Sequence, residues 1–289
     1  MTDTNAAILE QLLKQNRLLE EHLEEQRKIR WEAWTTRREI ETVRTLLAAP
    51  TLDDVGHFAA NHQLGLLETV EMLRDEGRSF ARFGDGEIQL MLRPSYKLGF
   101  QENSPALAAA LKAVASTPSD SFLVGFPHTY RDLSWTRVWG DTWNQFKTYI
   151  GKHKVLGNSH VTRPLHFHET GPEGVKAWRA VWEAKSITVV TGKNSRFEFI
   201  PELFDSARET KVLESLPKNA FSDIPRIMSL LADDQADIVL IALGPAGTVL
   251  AAELANAGRQ AIDVGHISSS YLQAFEGGAW PESLPVSKN

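Results

Sequence analysis

Apolar residues recur at helical spacing along the first part of the chain, where residues 5–47 contain neither Gly nor Pro. Leu9, Leu12, Leu19 and Leu23 form one apolar line, and Asn16 stands at one of its inner positions. Leucines at this spacing are typical of a coiled coil, and a single inner Asn fixes the register of parallel dimers. The pattern therefore predicts a long helix over residues 1–48 that pairs with a second copy of the chain.

The apolar line becomes polar after Leu23, which leaves an alternative to the dimer open. The positions that follow at the same spacing are Gln26, Arg30, Ala33, Arg37, Ile40, Arg44 and Leu47. In the alternative, a single helix packs on the following domain through Trp31, Trp34 and Ile40. The helix is expected to end at Pro50, because proline lacks an amide donor and restricts the residue before it.

From Pro50 to about Tyr271, short segments rich in β-branched and aromatic residues alternate with amphipathic helical segments. Residues 238–243 are apolar on both faces, as in strands that helices cover on two sides. This alternation predicts an α/β fold, with one Rossmann-like domain and a mostly parallel sheet over residues 49–275. The Gly- and Pro-containing residues 276–289 are expected to form a loose tail.

The predicted strands and helices are as follows. Strands are expected at residues 80–83, 122–126, 155–157, 187–191, 211–213, 238–243 and 261–264, and helices at residues 52–76, 105–115, 133–150, 173–184, 223–232 and 248–257.

Composition narrows the functional classes. The chain of 289 residues is 42% hydrophobic and 24% charged, as in ordinary globular proteins. It has no cysteine, which excludes disulfides and thiolate chemistry and favours a cytoplasmic location. No apolar stretch is long enough for a transmembrane helix. A net charge of −6 argues against a nucleic-acid partner.

The segment from Arg82 to Glu87 carries the first candidate chemistry. Asp85 and Glu87 are two residues apart, and Gly84 and Gly86 beside them permit a tight backbone path. Two such carboxylates can hold one divalent cation whose remaining positions go to water and substrate phosphates. The alternative is an Asp-Gly hairpin turn with a solvated Glu.

Two later strand ends carry further candidates. Gly244 and Pro245 lie between a buried strand and a helix. The first amides of this helix could hold a phosphate. In the alternative, the Gly-Pro segment only connects the strand to the helix. Asp263 and His266 end the last predicted strand, at the sheet edge where ligands bind in open α/β folds. A histidine at this edge can contact a metal or phosphate, or serve as a structural hydrogen bonder.

Cations and amides also follow several predicted strands. Arg163, Lys193 with Arg196, and Lys218 with Asn219 stand in such loops. Lys and Arg at one sheet edge can neutralise the oxygens of a diphosphate, although single surface cations are usually only solvated.

These segments, in this order, resemble the bacterial glycosyltransferases of the GT-D fold. The matching pieces are Phe-Gly-Asp-Gly-Glu at 83–87, Gly-Phe-Gln at 99–101, Thr-Arg-Pro at 162–164, Gly-Lys-Asn-Ser-Arg at 192–196, Leu-Phe-Asp at 203–205, Pro-Lys-Asn-Ala-Phe at 217–221, Leu-Gly-Pro at 243–245 and Ile-Asp-Val-Gly-His at 262–266. The resemblance covers roughly residues 55–271 and leaves out the N-terminal helix.

The resemblance implies a metal-dependent glycosyltransferase that uses a UDP-sugar, such as UDP-glucose or a related hexose donor, and a glycan or glycoprotein acceptor. Asp85 and Glu87 would hold Mn²⁺ or Mg²⁺ at the donor diphosphate, with His266 as a further metal or diphosphate contact. The residues implied in donor binding are Arg82, Gly84, Lys193, Ser195, Arg196, Lys218, Asn219, Gly244, Pro245 and Asp263.

The chain departs from the family at Thr191, which stands where an acidic residue is expected. A catalytic base at that position therefore cannot be transferred to this chain. Two other functions stay open. One is a metal-dependent phosphohydrolase or nucleotidyltransferase, which would use the same Asp85 and Glu87. The other is a coiled-coil interaction protein that binds a nucleotide sugar without turning it over.

Overall fold

The structure is a computed structural model that describes residues 3–285, with side chains from residue 5 onward. The chain divides after Pro50 into two units. None of the described helices is long and apolar enough to cross a membrane.

The first unit consists of helix α1, which begins at Asp3 and continues to His62 in the second unit. The prediction that the helix ends at Pro50 is therefore wrong. A proline inside a helix removes the hydrogen bond to the carbonyl four residues earlier, here that of Leu46. Leu46 is 69% exposed, so water can satisfy that carbonyl and the helical path continues.

The second unit is built on one sheet of seven strands, all parallel, in the order β3-β2-β1-β7-β6-β4-β5. Phe80 of β1 lies opposite Leu123 of β2 on one side and Ile262 of β7 on the other. The predicted α/β fold class is confirmed. The strands are β1 (Ser79–Arg82), β2 (Phe122–Phe126), β3 (Gly157–Asn158), β4 (Ser186–Gly192), β5 (Glu209–Ser215), β6 (Ile238–Ala242) and β7 (Ala261–Asp263).

Helices cover both faces of this sheet, because strands such as β2 and β6 are apolar on both sides. Aromatic side chains fill the core: Phe126 stacks on Trp139 on one face, while Trp178 stacks on Trp182 on the other. The helices after α1 are α2 (Leu66–Asp75), α3 (Asp85–Leu92), α4 (Pro105–Ser116), α5 (Leu133–Ile150), α6 (Pro164–Val181), α7 (Pro201–Phe204), α8 (Ile224–Ala232), α9 (Pro245–Asn256) and α10 (Ile267–Glu276). Short 3₁₀ helices lie at Ser159–Thr162 and Ala220–Asp223.

Several helix boundaries differ from the prediction for local reasons. The single helix expected over residues 52–76 is interrupted, because Gln63 pairs with Leu156 and Gly65 is the N-cap of α2, with its amide bound to the Glu68 carboxylate. Helix α6 begins at Pro164 instead of residue 173, and a break at Gly171 (φ 54°) divides it. Helix α9 begins at Pro245, three residues before the predicted start.

Helices α3 and α10 were not predicted at all. Each begins within three residues of a candidate site residue: α3 begins at Asp85 itself, and α10 begins directly after His266. Asp85 and Glu87 lie in the first turn of α3, so they form a helix start and not a hairpin turn. His266 is the residue immediately before α10.

Candidate functional site

A cavity of about 310 Å³ opens at the carboxyl edge of the parallel sheet. Residues that follow every strand line it, so the topology brings together segments that are far apart in the sequence. The chain crosses from one half of the sheet to the other between β3 and β4, and open α/β sheets bind ligands at such crossings.

Most of the residues predicted for the site line this cavity. They are Arg82, Gly84, Asp85, Glu87, Lys193, Ser195, Arg196, Lys218, Gly244, Pro245 and His266. Asn219 and Asp263 are not among the residues that line it.

Asp85 and Glu87 are presented by the first turn of α3. The Glu87 Oε2 atom accepts a hydrogen bond of 2.8 Å from the Gly84 amide, so Glu87 caps its own helix. Asp85 is exposed to the cavity. Burial raises the pKa of Glu87 to about 7, despite the opposing effect of the Arg82 charge. Glu87 is therefore partly protonated near neutral pH.

Asp263, at the end of β7, is buried and holds Arg82 in place. Its Oδ1 atom lies 3.5 Å from Arg82 Nε and accepts a bond from the Gly265 amide at 3.1 Å. Arg82 also donates to the Ser159 carbonyl at 3.0 Å. Burial raises the pKa of Asp263, while the Arg82 charge acts in the opposite direction. This pair fixes the Arg82 guanidinium in the cavity floor.

Gly265 is required beside this pair. Its φ of 47° is in the left-handed region, and an added Cβ would lie 2.9 Å from Arg82 Cζ. Glycine allows this close approach without displacing the guanidinium.

His266 accepts a hydrogen bond of 3.1 Å from Arg196 Nη2 at its Nδ1 atom, because an arginine N–H is always the donor. Burial, reinforced by Arg163, Arg82 and Arg196, holds the pKa of His266 well below its usual range. The ring is therefore neutral and carries its hydrogen on Nε2.

Cations dominate the part of the cavity beyond β4 and β5. Lys193 and Lys218 are exposed and form no ion pair within the described residues. Gly244 precedes α9 with a φ of 56°, and no side chain caps this helix start. The first amides of α9 therefore add positive potential beside the lysines.

Asn219 connects two loops through hydrogen bonds. It adopts a left-handed conformation, its amide donates to the Phe100 carbonyl, and its Oδ1 atom accepts from the Glu102 amide at 2.8 Å. These bonds tie the loop that carries Lys218 to the loop that carries Phe100.

The prediction did not assign site roles to Trp135, His160, Arg163 and Glu282, which also line the cavity. Arg163 was grouped with the loop cations, and it forms an ion pair with Glu282. Trp135 lies in helix α5 and His160 in a 3₁₀ helix. No motif in the sequence distinguishes either residue from others of its type. Glu282 lies in the segment after α10, where Pro281 accepts a hydrogen bond from Arg196.

Asp85 and Glu87 are the carboxylates of the cavity that could hold a cation. Within the described residues, no group of three or more His, Asp or Glu side chains is arranged to hold a metal ion. Asp85 and Glu87 provide oxygen ligands only, which suits a hard cation that keeps other positions for water and phosphates. This pair therefore fits Mn²⁺ or Mg²⁺ in the presence of a diphosphate.

Comparisons with known proteins point to one family. The family described as "Glycosyltransferase GT-D fold" matches residues 80–281. A "Probable glycosyl transferase Gly" of Streptococcus gordonii is 26% identical over 231 residues, which are 75% of this chain and 33% of that protein. The "Glycosyltransferase GlyD" of Streptococcus pneumoniae is 26% identical over 220 residues, 72% of this chain and 27% of that protein. The chain thus spans a third or less of the length of these curated relatives.

Two solved structures have the same fold. The first is described as "The highly conserved domain of unknown function 1792 has a distinct glycosyltransferase fold"; it has a TM-score of 0.71 and 25% identity, and covers 84% of this chain and 90% of its own. The second is described as "A New Glycosyltransferase (DUF1792) from Streptococcus sanguinis". It has a TM-score of 0.65 and 26% identity, and the match covers 75% of this chain and 85% of that chain.

Proposed function

The chain belongs to the glycosyltransferase GT-D fold family, and from this premise we propose that it transfers a hexosyl group from a UDP-sugar, such as UDP-glucose, to a glycan or glycoprotein acceptor. In this reaction the bond from the sugar C1 to the diphosphate breaks and a bond from C1 to an acceptor hydroxyl oxygen forms. UDP and one proton are released. The observation that carries the proposal is one cavity that joins the carboxylates Asp85 and Glu87 to Lys193, Arg196 and Lys218.

The diphosphate is proposed to lie beyond β4, β5 and β6. Lys193 and Lys218 supply charge without a protein partner among the described residues, and the uncapped start of α9 supplies amide donors. The leaving diphosphate gains negative charge as the C1–O bond breaks, and groups aimed at that charge lower the barrier. Ser195 and Arg196 line the same part of the cavity.

Asp85 and Glu87 are the residues that would hold Mn²⁺ or Mg²⁺. The bound cation would neutralise charge on the diphosphate oxygens. Glu87 caps α3 through Oε2 and keeps its second oxygen, while Asp85 is exposed to the cavity. The helix start thus positions both carboxylates without any other element.

His266 is proposed to donate its Nε2–H to a diphosphate oxygen. The Nδ1 atom is already occupied by Arg196, so the free nitrogen is the protonated one. The resemblance implies a metal or a diphosphate contact at His266, and coordination of a metal through Nε2 would require the ring to give up the Arg196 bond. Arg82 and Asp263 are proposed as positioning residues that hold the cavity floor.

Calorimetric titration tests the proposal. UDP, UDP-glucose, GDP and ADP are titrated into the full chain with Mn²⁺ and again with EDTA. We expect tight binding of the two uridine nucleotides, which EDTA weakens more than tenfold without abolishing it. Asp85→Asn should weaken the metal-dependent binding more than tenfold, whereas Asp120→Asn, at an exposed carboxylate outside the cavity, should not. Equal binding with EDTA and with Mn²⁺ would contradict the cation site.

Product analysis separates the transferase from the other two functions. A transferase releases UDP only as it glycosylates an acceptor or, slowly, water. Release of inorganic phosphate or pyrophosphate would instead indicate a phosphohydrolase or nucleotidyltransferase. Binding of UDP-glucose without turnover in the presence of acceptors would indicate a binding protein.

We also propose that α1 forms a homodimer. Leu9, Leu12, Leu19 and Leu23 are each more than half exposed, which leaves an apolar seam uncovered on a single helix. Pairing with a second copy would bury this seam around Asn16. Light scattering should give twice the chain mass at micromolar concentration, and a monomer would refute the dimer.

The lack of cysteine supports a cytoplasmic location.

A further inference from the structure

The two ends of the cavity differ in chemistry. Beyond β4 and β5 it is lined by Lys193 and Lys218, whereas beyond β2 and β3 it is lined by Trp135 and His160. Strands β2 and β4 are separated by four strand spacings, about 19 Å at about 4.8 Å each. A ligand part bound at the aromatic end is therefore distinct from a diphosphate bound at the cationic end.

The Trp135 ring is held in a defined orientation on the cavity wall. Its backbone amide donates to Asp132, the N-cap of α5, at 3.1 Å. Its ring lies 5.2 Å from that of the buried Trp139, tilted by 32°, and 6.3 Å from the Tyr130 ring. The half-buried indole thus has protein behind it and the cavity in front of it. Its N–H makes no hydrogen bond to any described residue.

His160 offers a second donor beside this indole, with the two rings 6.4 Å apart. Its Nδ1 atom accepts a hydrogen bond of 3.0 Å from the His128 amide. Burial, with a further contribution from Arg163, keeps the ring neutral, so Nε2 carries the hydrogen. Nε2 has no partner in the part of the chain that the structure describes, although His160 is only 8% exposed.

We propose that Trp135 and His160 form the acceptor subsite and bind a pyranose ring. One face of a pyranose is made of C–H groups that pack on an indole, and its hydroxyl oxygens accept hydrogen bonds from donors at the ring edge. Both free groups here, the Trp135 N–H and the His160 Nε2–H, are donors. The proposal rests on the proposed function, which places the nucleotide at the cationic end.

This subsite adjoins the carboxylates. Arg163 lines the cavity together with His160, and its charge interacts with Asp85, Glu87 and Tyr130. In the strand order, β1, which Asp85 and Glu87 follow, lies between β2, which precedes Trp135, and the strands β4 and β5, which precede Lys193 and Lys218. The proposal therefore places the acceptor and the donor diphosphate at opposite ends of one cavity, with Asp85 and Glu87 between them.

Saturation-transfer NMR on the full chain tests the subsite with methyl β-D-glucopyranoside, methyl β-D-galactopyranoside and methyl α-D-mannopyranoside as probes. UDP and Mn²⁺ are present at saturating concentration, and the dissociation constant of UDP is measured separately. We expect at least one probe to bind with its C–H protons against protein. Trp135→Ala should weaken this binding about tenfold, and Trp135→Phe should restore most of it.

Trp34→Ala is the matched control, because Trp34 is 51% exposed on α1 and is not among the residues that line this cavity. It should leave probe binding unchanged, and none of the three variants should change the dissociation constant of UDP more than twofold. Two results would overturn the subsite: no saturable binding of any probe to the wild type, or a loss of UDP affinity in Trp135→Ala as large as the loss of probe affinity. Failure of UDP to bind the wild type would refute the proposed function instead.

Discussion

Gly265→Ala tests whether the close approach of the backbone to Arg82 shapes the cavity. The change adds one methyl group at a residue with a φ of 47°, and that methyl would overlap the Arg82 guanidinium. The guanidinium is the far end of a flexible side chain, so it can move. Moving it breaks the 3.0 Å bond to the Ser159 carbonyl and leaves the buried Asp263 without its cation.

The magnitude follows from two separable costs. A left-handed conformation costs a non-glycine residue about 1 kcal/mol. Loss of the Arg82 contacts costs about 2 kcal/mol, the usual range for a hydrogen bond to a charged group. The free energy of unfolding should therefore fall by about 3 kcal/mol in total. For a unit of this size, each kcal/mol lowers Tm by about 2–4 °C.

Gly77→Ala is the matched control, because Gly77 has a φ of 64° and an added Cβ there meets nothing within 4 Å. It bears only the conformational cost of about 1 kcal/mol. Calorimetric unfolding of both variants gives the difference, which we expect to be about 2 kcal/mol. Gly265→Ala should also weaken UDP binding, and Gly77→Ala should not. Equal destabilisation by the two changes would refute the proposed part of Arg82 and Asp263.

Two further predictions address other parts of the fold. Burial raises the pKa of Asp234, but hydrogen bonds from four donors lower it by more. These donors are Lys211, the Ala236 amide, Thr188 and Arg259, and together they bring the pKa from 3.8 to about 2. Asp234→Asn should lower the free energy of unfolding by about 2 kcal/mol at pH 7, and in urea titrations the difference should shrink as the pH falls from about 4 to about 2. Gly244→Ala places a Cβ 2.7 Å from Phe100 Cε2 at a φ of 56°, so it should displace that ring and weaken UDP binding more than fivefold in calorimetry, and unchanged affinity would contradict this.

The parallel sheet was predictable from the sequence because the strands are apolar on both faces. Segments such as residues 122–126 and 238–242 alternate with amphipathic helices such as Leu133–Ile150, whose bounds match the prediction. Helix α3 was not predictable in the same way. The Gly-Asp-Gly segment has a low helix propensity. The helix start is stabilised by the hydrogen bond from the Gly84 amide to the Glu87 carboxylate, which the propensity of the segment does not reveal.

The site was only partly predictable, because sequence patterns identify residue types and not partners. In the sequence, Arg82, Arg163 and Lys193 are equivalent candidates, because each is a cation at or after the end of a strand. In the structure, Arg82 pairs with Asp263 and Arg163 pairs with Glu282, so only Lys193 is left for an anion. The partners lie far along the chain, on elements that tertiary folding alone brings together. For the same reason, no motif near Trp135 in the sequence indicates that this side chain lines the cavity.

The charge distribution in the cavity gives a last prediction. Lys193 and Lys218 attract a diphosphate, while Asp85 and the partly ionised Glu87 repel it unless a divalent cation stands between them. Asp85→Asn removes part of this repulsion together with a cation ligand. In EDTA the variant should therefore bind UDP roughly twofold more tightly than the wild type, and in Mn²⁺ more weakly. A variant that binds UDP less tightly under both conditions would show that Asp85 maintains the shape of α3 and does not act through its charge.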